Sequence, residues 1–156
     1  MRLIFFNHLI MKRIASVLFF FVCFSVVSQE RINSKDGVAA EGYDVVAYFY
    51  NTAIEGNDEF TSMYQGISYK FASKTHLNCF EKNPKQYLPA YGGYCAYAIA
   101  DTGEKVGVNP KTFKIINNRL YLFYNSWGVN TLKKWNKKGD AVMQEIADKN
   151  WKNSLN

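Results

Sequence analysis

Soft metal donors are scarce in this chain. Its 156 residues hold two histidines and three cysteines, and His8 and Cys23 fall in a leading segment that reads as an export signal. One imidazole, His76, and two thiols, Cys79 and Cys95, remain for the body of the protein. Zinc closed by four protein ligands is therefore short of donors unless Asp44, a tyrosine or water joins. Internal repeats are also absent, which argues against stacked-repeat architectures. Acids number 13 against 19 lysines and arginines. Arg2, Lys12 and Arg13 belong to the leader, however, and without them the formal charge falls from +6 to +3. Lys133, Lys134, Lys137 and Lys138 cluster, but as the wet face of a helix. A nucleic-acid footprint needs a broader basic surface.

The leader has the layout of a signal peptide over residues 1–28. Met11-Lys-Arg-Ile14 is cationic, Ile14 to Val27 is nearly all apolar, and Val26-Val27-Ser28 offers a cleavage point before Gln29-Glu30. The apolar run is too short, and wrongly flanked, for a stable membrane span. Met11 opens a complete signal by itself and is a candidate true start. Phe21-Val22 stand where lipidation at Cys23 would need a small residue. A periplasmic or secreted protein of about residues 29–156 is expected, which is one small domain by length.

What the mature chain does have is aromatic bulk, 17% of the whole sequence, an efficient way for a small domain to build its core. Residues 29–41 read as a flexible lead-in. Asp44 sits where it can cap a short helical turn within Gly42–Phe49. Glu59–Tyr64 and Ile67–Phe71 alternate in polarity around Gln65-Gly66 and predict a hairpin. Ser73 caps a helix over Lys74–Glu81 that stops before Pro84. Thr112–Ile116 and Arg119–Tyr124 predict a second hairpin across Asn117-Asn118. The remainder reads as helical, with Val129, Leu132 and Trp135 on one face. Asp140 would cap a last helix carrying Val142, Met143, Ile146 and Trp151. The predicted fold class is α+β, a small single domain of two β-hairpins, a hairpin-helix core and C-terminal helices.

Leu88-Pro-Ala-Tyr-Gly-Gly-Tyr-Cys-Ala-Tyr-Ala98 is the densest segment. Adjacent glycines let a backbone pass close to a neighbour or take positive φ, and Cys95 is the softest donor nearby. The segment either holds a ligand or closes an aromatic core. Tyr91, Tyr94 and Tyr97 are three apart, a spacing that favours a packed face. On the helix before it, His76 and Cys79 lie three apart and His76 and Phe80 four apart, all on neighbouring parts of one face.

Read in order, several pieces resemble the exported YHS-domain proteins of bacteria. They are Gly42-Tyr-Asp-Val-Val-Ala-Tyr-Phe49, Tyr64-Gln-Gly-Ile-Ser-Tyr-Lys-Phe-Ala-Ser73 through Phe80, and Asn83-Pro-Lys-Gln-Tyr87. Tyr91-Gly-Gly-Tyr-Cys-Ala-Tyr97, Lys105-Val-Gly-Val-Asn-Pro110 and Leu120-Tyr-Leu-Phe-Tyr-Asn125 complete the set. The resemblance implies a YHS-type domain over residues 42–154. The wider group contains metal-associated modules that present three cysteines from a hairpin-helix core. The corresponding positions here are Ala47, Ala72 and His76, so two of the three soft ligands are missing.

The expected function is a non-enzymatic binding module for a soft transition metal, copper before zinc, held by His76 and Cys95 with Cys79 in support. The same sulfurs could instead form a Cys79–Cys95 disulfide in an oxidising compartment. That would leave a stapled aromatic module for a protein partner or small organic ligand. A third reading has Cys95 as a nucleophile with His76 as its base.

Overall fold

The computed structural model describes residues 31–155, so the predicted leader lies outside the described residues. Strands β1 (Ser34–Lys35) and β2 (Val38–Ala39) open the domain, followed by short 3₁₀ turns at Ala40–Gly42 and Ala47–Tyr50. The first long hairpin is β3 (Asn57–Tyr64) with β4 (Ile67–Phe71). Helices α1 (Lys74–Lys82) and α2 (Pro84–Tyr87) come next, then a 3₁₀ turn at Ala90–Gly93 and helix α3 (Ala96–Asp101). The second hairpin is β5 (Asn109–Ile116) with β6 (Arg119–Phe123). A small hairpin, β7 (Asn125–Ser126) with β8 (Val129–Asn130), leads into α4 (Thr131–Lys138) and α5 (Asp140–Asn153). The architecture is α+β, in three small sheets. The first has strand order β1-β2-β4-β3, with β2 parallel to β4 and the other pairs antiparallel. Among the described residues no helix is long and apolar enough to cross a membrane.

Strand β6 explains how two cores fit in one small domain. Its side chains alternate between faces, as every strand's must. Leu120 and Leu122 join a cluster with Val45, Val46, Tyr48, Tyr69, Phe71 and Phe80. Tyr121 and Phe123 join another with Tyr91, Ile99, Trp135 and Met143. Both faces are covered, so Leu120-Tyr-Leu-Phe123 reads as a continuous apolar run rather than an alternating one. The turn before it is tight, with Asn117 at φ 50° and Asn118 at φ 58°, a conformation asparagine tolerates.

Residues 31–41, expected to be a flexible lead-in, are instead tied down. Asn33 donates its amide to the Gly92 carbonyl at 2.8 Å and its side-chain Nδ2 to the Gly93 carbonyl at 3.0 Å. Gly92 has φ 62°, and a Cβ there would collide with the Arg31 carbonyl oxygen. The double glycine thus serves close backbone approach, by this chain's own lead-in. The tyrosines around it pack: Tyr91 against Tyr121 and Trp151, and Tyr94 against Trp151. The segment thus helps to close a core.

The C-terminal third departs from expectation in three places. Val129 lies in β8 rather than in a helix. On α5, Met143 and Ala147 are buried while Val142 and Ile146 stay exposed. Asp140 is the first residue of α5 but does not cap it. Its Oδ1 accepts from the Trp135 indole at 2.7 Å and both oxygens accept from Lys114 at 2.7 Å. The Lys114 ammonium holds the Asp140 carboxyl below the usual carboxylate range, against a smaller opposing effect of burial.

Candidate functional site: the Asp44–His76 pair

The polar centre of the first core is one carboxylate. Asp44 is fully buried, an arrangement tolerated only where every lone pair is used. Its Oδ1 accepts from the backbone amides of Val46 at 2.8 Å and Ala47 at 3.1 Å, which caps the turn Ala47–Tyr50. Its Oδ2 reaches across the fold, accepting from the Ala72 amide at 2.8 Å and meeting His76 Nδ1 at 2.6 Å. Three of these partners are amides that can only donate. The carboxylate is therefore an acceptor on every side, and Nδ1 is the ring nitrogen that carries hydrogen. That fixes the ring's orientation and aims Nε2 away from the core.

Helix α1 supplies the other half of the geometry. Ser73 caps it, its side-chain oxygen accepting from the His76 amide at 3.2 Å. Leu77 and Phe80 anchor the buried face, which leaves His76 and Cys79 partly exposed beside it. Tyr50 stacks on His76 with ring centroids 5.5 Å apart and planes 5° from parallel, and it is 66% exposed. Tyr87 completes the patch, meeting Phe49 edge-on at 5.2 Å. Burial, with smaller effects from Cys79 and Tyr50, pushes its phenol up. One oriented imidazole, one thiol and two phenols thus share a half-exposed face.

Ala47, Ala72 and His76 are the positions that the YHS resemblance aligned with metal-presenting cysteines. The structure brings them together: two amides and one imidazole converge on the same carboxylate. Of the three, His76 alone carries a donor side chain.

Cys95 is elsewhere. It is fully buried and bridges to Leu122 of β6. Its sulfur accepts from the Tyr124 amide at 3.3 Å and lies 3.4 Å from Thr131 Oγ1. Thr131 donates to the Tyr124 carbonyl at 2.8 Å, so the thiol is the donor in its own contact with Thr131. Cys95 borders a recess of about 220 Å³ with Tyr97, Tyr124 and Thr131, and His76 is not part of it. Three expectations are corrected by this placement. The donor set His76, Cys79 and Cys95 does not converge: among the described residues no group of three or more His, Cys, Asp or Glu could hold a metal ion. The Cys79–Cys95 disulfide is not formed, since both thiols are free. Nor is Cys95 paired with His76, whose Nδ1 is taken by Asp44.

Sequence reasoning found His76 and the capping role of Asp44 but not the bond between them. The available signal was the YHS resemblance. Positions 47, 72 and 76 must converge if it holds, and Asp44 is three residues from the first of them.

Comparisons with protein-family models, with curated proteins and with solved structures find no match.

Proposed function

We propose that this chain is an exported, non-enzymatic binding module whose ligand is a soft transition metal ion, copper before zinc, taken at the outer edge of His76 with Cys79 beside it. The observation that carries this reading is the four-bonded carboxylate of Asp44 behind Nδ1. Metal-ligating histidines characteristically give their second ring nitrogen to such a partner, which fixes the tautomer and raises the basicity of the free nitrogen. Cys79 follows one helical turn later on the same partly exposed face. An imidazole and a thiolate suit Cu(I), whereas Zn(II) would lack two of its usual four ligands. Cys95 has no part in the site, because its sulfur is enclosed by Tyr124 and Thr131.

Native mass spectrometry of the reduced protein with Cu(I) tests this. One ion per chain is expected for the unaltered protein and for Cys95→Ser, with loss of retention in His76→Gln and in Cys79→Ser. Retention that depends on Cys95 and not on His76 would refute the assignment. A second reading, a small organic or protein ligand on the same face, is favoured by the exposed Tyr50 ring lying parallel to His76. It predicts that Tyr50→Ala abolishes binding while copper is not retained.

A further inference from the structure

Far along the chain from the imidazole, Trp127 stands almost wholly outside the fold. It is 94% exposed and forms the two-residue turn of the β7–β8 hairpin with Gly128. Its backbone has φ 52°, a left-handed conformation that is uncommon and unfavourable for a bulky residue. Neither the strain nor the exposure serves packing. The hairpin beneath it is nevertheless firmly braced. Asn109 Nδ2 donates to the Asn125 carbonyl at 3.2 Å, and Asn125 Nδ2 to Thr112 Oγ1 at 3.0 Å. Thr131 donates to the Tyr124 carbonyl through both its amide, at 3.0 Å, and its hydroxyl, at 2.8 Å. A rigid stalk therefore presents an indole to solvent, with Val129 exposed beside it.

The stretch of sequence around this tip carries charge of one sign. From Lys105 to Gly139 the sequence contains no aspartate or glutamate, and it carries eight lysines and arginines. Four of them, Lys133, Lys134, Lys137 and Lys138, follow the hairpin directly on α4 and are exposed. Lys138 pairs with Asp101, and Lys134 lies over the Tyr97 ring. Among the described residues Lys133 and Lys137 form no ion pair. Lys111 is exposed on β5 between the two residues that brace the hairpin.

We infer that this hairpin and helix α4 dock the protein onto an anionic lipid surface, with Trp127 and Val129 entering the interfacial layer and Lys133, Lys137 and Lys111 facing the headgroups. Indole rings favour the boundary between headgroups and acyl chains, being apolar bodies with one polar edge. Basic residues beside such an anchor are drawn to anionic lipid. A single protruding apolar tip suits a bilayer better than it suits a nucleic-acid strand, whose binding sites array several rings for successive bases.

The test is binding of the full chain, in which the apolar N-terminal residues are common to every variant. The probes are phosphatidylcholine vesicles with and without phosphatidylglycerol, with brominated acyl chains as a depth-sensitive quencher. Binding to the anionic vesicles is expected, with a quenched emission component that vanishes in Trp127→Phe. Trp127→Ala should weaken binding on the order of tenfold. The Lys133→Gln/Lys137→Gln pair should weaken it about thirtyfold at low salt. Neither substitution touches the core, so circular dichroism should be unchanged. Equal binding of the unaltered protein and Trp127→Ala, or no emission quenched through Trp127, would overturn the inference. So would a single-stranded oligonucleotide bound through Trp127 more tightly than the vesicles.

Discussion

Replacing Asp44 is the sharpest probe of the site. Asp44→Ala leaves the amides of Val46, Ala47 and Ala72 without their acceptor inside the fold. An unmet buried donor costs roughly 1–3 kcal/mol. Water entering the vacated space offsets part of the sum, so a total of about 3–5 kcal/mol is expected, the usual cost of removing one member of a buried polar pair. A small domain has about 5–15 kcal/mol to lose, so Asp44→Asn is the more readable variant. Its amide oxygen can still serve Val46 and Ala47, but its NH₂ then faces the Ala72 amide, a second donor, and keeps His76 only if the ring moves its proton from Nδ1 to Nε2. Flipping the amide only moves the conflict to the other pair. A cost of about 2–3 kcal/mol follows. His76→Ala removes one hydrogen bond from a side chain that is 21% exposed, for about 1–2 kcal/mol. Urea unfolding of both single variants and the double variant, followed by tryptophan fluorescence, measures these terms. The double variant should cost less than the sum by about 1 kcal/mol, because the histidine bond, no longer made to a carboxylate, is already weakened in Asp44→Asn. Strict additivity, or an Asp44→Asn cost under about 0.5 kcal/mol, would refute the claim that this carboxylate organises the site.

Gly92→Ala should destabilise by roughly 2–3 kcal/mol through its φ of 62° and the collision with Arg31; limited proteolysis should then cut within residues 31–37 faster than in the unaltered protein. Phe80→Ala, at a fully buried ring touching Tyr64, Tyr69 and Phe71, should cost about 3–5 kcal/mol in a denaturant titration. Lys114 lowers the Asp140 pKa in the folded state, so that carboxylate stabilises the protein at neutral pH and loses its contribution as pH falls. The stability advantage over Asp140→Asn should accordingly shrink below about pH 4, and a constant difference in Tm from pH 7 to 3 would contradict it. In thiol labelling of the folded, reduced domain, Cys79 should react and Cys95 should stay inert until the protein is unfolded.

Local signals carried most of the secondary structure. Ile67–Phe71 emerges with the expected bounds, the first helix with one residue more, and Asn117-Asn118 forms the tight turn its residue types favour. Period-two patterning at Ile67, Tyr69 and Phe71 decided the buried face of β4. The misses are long-range or short-lived along the chain. The β7–β8 hairpin has two residues per strand, too few for any periodicity to register. The lead-in looked flexible because its residues are polar. What orders it is the Gly92-Gly93 backbone, 60 residues away in the case of the Asn33 side chain. The candidate site failed in the same way. Scarcity of donors pointed to His76, but Cys95 was grouped with it by chemistry alone, and the Tyr124 amide and Thr131 hydroxyl hold that sulfur elsewhere. The Asp44–His76 bond spans 32 residues, and no local pattern encodes it.

Nitrogen-15 NMR of the His76 ring, recorded before and after one equivalent of Cu(I), tests the central claim most directly. A ring carrying hydrogen at Nδ1 is expected, with the Nε2 resonance alone displaced by the metal and the displacement absent in Cys79→Ser. A ring protonated at Nε2, or a spectrum indifferent to copper, would contradict it.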